Sequence, residues 1–133
     1  AIVDSPNRLP VYLVIAQSAF ESNWGRSRFA IEGNNYFGIR EYNETEPHLH
    51  ALENKDVMVK KYLTQCDSVN HYMELLTTHT IYESFQTELF NQWFADDINI
   101  NKLIDELDSY AENPNYKSKL KEIIDYLLTQ PQQ

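Results

Sequence analysis

The sequence predicts a mostly helical α+β domain. Three observations predict it: a near-continuous apolar run from Val11 to Phe20, four later stretches with apolar residues three and four apart, and a single β-prone polar insert between them. A length of 133 residues suits one domain with one core, here residues 1–129, followed by a polar tail or linker start at 130–133.

Pro10 suits a first helical turn, and residues 11 to 20 are apolar on nearly every side except Gln17 and Ser18, so this helix is expected to be enclosed. Gly25 can end it. A short segment, Ser27 to Ile31, leads into Gly33-Asn34-Asn35, which reads as a turn because Gly and Asn tolerate positive φ. Helical period then disappears. Tyr36-Phe37-Gly38-Ile39 and Val57 to Tyr62 are β-prone and flank a polar stretch with four glutamates, which predicts a small β lobe or irregular loop. Asp67-Ser68 offers a cap for a helix carrying Val69, Tyr72, Met73 and Leu76. Three amphipathic stretches follow: Tyr82 to Trp93, Ile100 to Tyr110, and Tyr116 to Leu127, the last two separated at Asn113-Pro114.

Charge narrows the partners. Eleven Lys and Arg against 20 Asp and Glu give −9, which opposes nucleic-acid binding and repels anionic membranes. No segment approaches the ~20 apolar residues of a membrane helix, so a soluble chain without a membrane span is expected. The lone Cys66 can make no internal disulfide. The start at Ala1, without a methionine or signal-like stretch, reads as a processed or trimmed fragment.

One carboxylate stands out. Glu21 ends the apolar helix, where desolvation and the negative end of the helix dipole both favour its protonated form, and a neutral glutamate can act as a general acid. Gln17, four residues earlier, shares its face. His48-x-His50 can set two imidazoles on one strand face, but no second pair has ligand spacing, so the expectation is exposed histidines, no metal and no cofactor. No phosphate-binding glycine loop and no serine nucleophile elbow is present.

The run Ala16-Gln17-Ser18-Ala19-Phe20-Glu21-Ser22-Asn23-Trp24-Gly25-Arg26-Ser27, followed by Gly33-Asn34-Asn35-Tyr36-Phe37-Gly38-Ile39, resembles the glucosaminidase family of peptidoglycan hydrolases, glycoside hydrolase family 73. Thr77-Thr78-His79-Thr80-Ile81-Tyr82 and Tyr110-Ala111-Glu112-Asn113-Pro114-Asn115-Tyr116 are similar to later blocks of that family. Residues 28–35 and 77–82 point to its Bax-type subgroup. The resemblance runs from about residue 9 to residue 128.

It implies a lysozyme-like fold with a cleft beside a small β lobe, and hydrolysis of the β-1,4 bond after N-acetylglucosamine in the bacterial cell wall. By motif, Glu21 corresponds to the catalytic acid and Tyr116 to a tyrosine beside the cleft. Gln17, Trp24, Asn34, Asn35, Tyr36 and Tyr110 are then expected to bind substrate. Glycosidases generally add a second carboxylate. The family's lies thirty to forty residues past the first, in the β lobe, which makes Glu53 the expected residue on spacing, with Glu46 next and Glu44 and Glu41 nearby. Without one, the substrate's 2-acetamido group can assist. The implied partner is the glycan strand of peptidoglycan, met by a monomer in the periplasm or at the cell envelope. Two other readings stay open: a lytic transglycosylase using the same glutamate, and a wall-binding module without catalysis.

Overall fold

The structure, a computed structural model, describes residues 8–111 and 113–131. Glu112 of the Tyr110–Tyr116 block and the last two residues of the expected polar tail lie outside the described residues. The described residues form two compact units, residues 17–72 in one and the described residues before 17 and after 72 in the other. Secondary structure is mostly helical with one small sheet: α1 (Val11–Ser22), α2 (Arg28–Gly33), β1 (His48–His50), β2 (Met58–Lys60), α3 (Gln65–Thr78), α4 (Glu83–Ala95), α5 (Ile100–Asp105) and α6 (Tyr116–Thr129).

In the unit of residues 17–72, Ser27 caps α2 by accepting from the Ala30 N–H at 3.2 Å, and Asn34 ends it in the left-handed region at φ 53°. The turn expected at 33–35 is therefore a helix C-cap. The sheet is an antiparallel hairpin in the register His48↔Lys60, Leu49↔Val59, His50↔Met58. Only one of the two β-prone segments is a strand. Tyr36–Ile39 is not, because Gly38 at φ 70° breaks the extended run; the following residues pair with β2 at a single isolated bridge, Arg40–Val59. The strand in its place is His-Leu-His, whose outward histidines hide it from a hydrophobicity reading. Ala19, Ala30, Phe37, Val59, Tyr62 and Tyr72 are buried in this unit. The cap of α3 is Thr64, accepting from Asp67 N–H at 3.1 Å, one turn earlier than Asp67-Ser68 suggests.

In the other unit, α5 packs on α4 and α6 around Phe85, Leu89, Leu103, Ile104, Leu120 and Ile124. His79 caps a single 3₁₀ turn, Thr80–Tyr82, that leads into α4. Asn99 caps α5, and the buried Gln92 of α4 grips the Asn99 backbone through both its amide atoms. The α5 helix stops at Asp105, short of the predicted Tyr110. Residues 11, 12 and 15 of α1, all in this unit, are exposed, so α1 is less enclosed than its composition suggests. Among the described residues no helix is long and apolar enough to cross a membrane.

Candidate active site

The last turn of α1 is drawn tight by its own side chains. Ser22 Oγ donates to the Ser18 carbonyl at 2.6 Å and accepts from the Gly25 N–H at 2.8 Å. Three consecutive residues then take left-handed geometry, Asn23 at φ 50°, Trp24 at 57° and Gly25 at 79°. The chain reverses abruptly, and Glu21 is left half-buried beside the reversal. Burial pushes its carboxyl up to about 7, and no other charged group contributes to that shift. A carboxyl so placed is a proton donor near neutrality.

Gly38 faces this carboxyl. A Cβ on Gly38 would stand 3.1 Å from Glu21 Oε2, and its φ of 70° also favours glycine. The loop that carries Gly38 is braced by Asn35, which is buried: its amide NH2 donates to the Ile39 and Lys60 carbonyls at 2.9 and 2.8 Å, and its Oδ1 accepts from Phe37 and Ile39 N–H at 3.2 and 3.3 Å. With all four of these bonds made to backbone, Asn35 positions the loop that faces Glu21. Asn34 likewise gives its amide to the Tyr62 and Leu63 carbonyls.

Beneath the acid, Gln17 is fully buried and accepts a hydrogen bond from the Tyr72 hydroxyl, while Phe37 stacks on the Tyr72 ring at 3.9 Å between centroids. The pair fixes the helix face that Glu21 shares. Tyr72→Phe removes that donor from a buried acceptor and is expected to lower stability by about 1–3 kcal/mol, measured by urea denaturation.

The four glutamates expected to include a second carboxylate separate clearly. Glu44, Glu46 and Glu53 are exposed, Glu53 in the hairpin turn. Glu41 is largely buried and makes a 3.1 Å ion pair with Lys60, which with the Asn43 and Tyr42 N–H groups holds its carboxyl below the usual range. Lys60 also lies over the Tyr62 ring, and burial with the Glu41 charge raises the Tyr62 phenol well above its ordinary value. Tyr62 in turn bonds His71 Nδ1 at 2.6 Å. Glu41 is thus an ionised, anchored carboxylate, and the sequence spacing gave it no preference over Glu53.

The remaining expected residues fall as follows. Tyr36 packs over Gly25, close enough that a Cβ there would stand 3.3 Å from its ring. Trp24 is half exposed. Tyr116 opens α6 and is buried, its ring stacked at 5.7 Å on Tyr110, which lies 6.0 Å from Tyr82. The structure therefore gathers Gln17, Glu21, Asn35 and, unforeseen, Gly38 and Tyr72 into one unit, while Tyr110 and Tyr116 belong to the other. Gly38 carried a legible signal, a glycine inside a β-prone run; Tyr72 read only as a core residue. A polar depression of about 540 Å³ on α4, lined by Glu83, Ser84, Thr87, Glu88, Asn91 and Glu106, contains none of the expected site residues.

A family model described as "Glucosaminidase: Mannosyl-glycoprotein endo-beta-N-acetylglucosaminidase" matches residues 5–128. A 44-residue stretch is 52% identical to a Streptococcus pneumoniae protein provisionally named an endo-beta-N-acetylglucosaminidase; the match takes in 33% of this chain and 6% of that relative's length. A glycoside hydrolase domain of Salmonella typhimurium FlgJ superposes with a TM-score of 0.65 at 23% identity, covering 92% of this chain and 86% of that one. The catalytic domain of the Listeria monocytogenes autolysin Auto gives 0.63 at 28% identity, covering 90% and 73%. The fold is that of lysozyme-like glycoside hydrolase domains, as the sequence predicts.

Proposed function

Because the chain belongs to the glucosaminidase family, we propose that it is a peptidoglycan hydrolase acting as an endo-β-N-acetylglucosaminidase, cleaving the β-1,4 bond after N-acetylglucosamine with Glu21 as general acid. The observation that carries this reading is the half-buried Glu21 carboxyl, raised to about 7 by burial and faced by Gly38. Protonated, Glu21 donates to the glycosidic oxygen; the C–O bond breaks, positive charge develops at the anomeric carbon, and water attacks there, giving its proton to the Glu21 carboxylate. The substrate is met at the cell envelope, and affinity for an anionic wall by a chain of charge −9 rests on stacking and hydrogen bonds.

Charge stabilisation at the anomeric carbon is assigned to the substrate's 2-acetamido group. What supports this is that Glu44, Glu46 and Glu53 are exposed and Glu41 is held in an ion pair by Lys60. Glu53 enters the proposal on spacing and Tyr116, with Tyr110, on motif. Glu53→Gln separates the two versions, since substrate assistance leaves its rate near the parent's and a second-carboxylate role lowers it by orders of magnitude.

The test of the reaction is digestion of purified peptidoglycan with mass analysis of the products. Reducing N-acetylglucosamine ends support hydrolysis; 1,6-anhydro ends indicate a lytic transglycosylase; binding to the wall without release indicates a non-catalytic module. Mannosyl glycoprotein, which the family description names, is the comparison substrate. The pH dependence follows from the acid: kcat/KM is expected to be level through mildly acidic pH and to fall tenfold per unit above about 7, as Glu21 loses its proton. A profile that stays flat through pH 9 would count against this assignment.

A further inference from the structure

The hairpin carries an arrangement that glycoside hydrolysis does not use. His48 and His50 are alternate residues of β1, so both side chains leave the sheet on one face. His48 Nδ1 lies 2.7 Å from the Glu46 carbonyl oxygen, and His50 Nδ1 lies 2.7 Å from the Lys55 carbonyl oxygen. A carbonyl only accepts, so each Nδ1 carries the proton and each neutral ring keeps its lone pair on Nε2. One ring nitrogen anchored to a backbone carbonyl, with the other left basic, is how proteins orient histidines that bind metal.

The ring separation agrees. The two centroids are 4.9 Å apart with planes at 84°. A single ion about 2.1 Å from each Nε2 places the centroids about 4.6–5.3 Å apart, for N–metal–N angles from square-planar to tetrahedral. Two nearby cations are engaged: Lys60, opposite His48 in the register, is paired with Glu41, and the Arg28 guanidinium donates to the His50 carbonyl.

We propose that His48 and His50 form a binding site for a late first-row divalent ion of the Zn²⁺ and Cu²⁺ class. Among the described residues no group of three or more metal-ligating side chains gathers, so solvent fills the other positions and the site is an open, two-imidazole chelate. Cu²⁺ binds more tightly than Zn²⁺, by the usual order of divalent affinities, and Mg²⁺ does not bind. An ion held there bridges one side chain anchored to the segment before β1, through Glu46, and one anchored to the hairpin turn, through Lys55.

The test is calorimetric titration of the purified full chain with Zn²⁺ at pH 7.5 in a non-coordinating buffer. One ion per chain is expected. Loss of a ligand weakens binding at least as much as loss of an outer partner, so His48→Gln and His50→Gln should each weaken it roughly tenfold or more. His79→Gln should bind as the parent does. A second measurement needs no variant: imidazole ¹⁵N spectra of the parent should show Nε2 of two histidines shifting with Zn²⁺ while their Nδ1 protons persist. Absence of binding up to millimolar Zn²⁺, undiminished binding in the His48→Gln/His50→Gln double variant, or unshifted Nε2 signals each overturn the proposal.

Discussion

Glu21→Gln is expected to lower release of products from purified peptidoglycan by about 10²- to 10⁴-fold, the range a positioned general acid supplies. Gln keeps the size and hydrogen-bonding tip of the side chain, so the circular dichroism spectrum should match the parent's. The same substitution has a second, oppositely directed consequence. The folded Glu21 carboxyl is raised from 4.5 to about 7, so the native state holds a proton that the unfolded chain gives up. That contribution to stability is complete below about 4.5 and disappears as pH rises through 7, where the parent must bury an ionised carboxylate. Glu21→Gln has no such proton to lose. Thermal melts are therefore expected to show the variant gaining on the parent as pH rises from 5 to 9. Undiminished digestion by the variant would remove Glu21 from the mechanism.

Gly38→Ala is expected to lower activity strongly for a change of one methyl group. Alanine at φ 70° costs about 1–2 kcal/mol of backbone strain, and its Cβ would press on Glu21 Oε2 from 3.1 Å. Either the loop or the carboxyl must move, and displacement of a reacting group by about 1 Å is enough to lose about a hundredfold in rate. The readout is kcat/KM across pH. Displacement of the acid changes both the height of the profile and the position of its upper limb, whereas simple destabilisation lowers the melting temperature and leaves the limb in place. A limb still near 7 with full activity would mean the contact does not constrain Glu21.

Helices were legible wherever apolar residues recur at helical spacing. That signal located α4 and α6 to within a few residues, because Phe85, Leu89, Leu120 and Ile124 all point into one core. It failed at α5, where the apolar period continues through Leu107 and Tyr110 although the helix ends at Asp105. The β lobe was harder. His-Leu-His has one inward residue, and three-residue strands are stabilised by pairing and by Asn35 more than by composition. At the site, Glu21 was legible because a carboxylate closing an apolar helix is locally costly. Its surroundings were not. Gly38 approaches Glu21 from seventeen residues away, and Tyr72 reaches Gln17 from fifty-five, so neither contact has a local signature.

Asn35 gives the site an unusual chemical fragility. Four backbone groups bond to one amide, whose nitrogen reaches both the Ile39 and the Lys60 carbonyls. Spontaneous deamidation exchanges that nitrogen for oxygen, a change of shape too small to notice. It turns two donors into acceptors and sets a carboxylate against two carbonyl oxygens, so the loop facing Glu21 would be left to the Ile39–Lys60 and Glu41–Met58 backbone bonds for its hold on β2. The geometry around Glu21 is then open to chemical ageing at a residue whose amide is bonded to backbone.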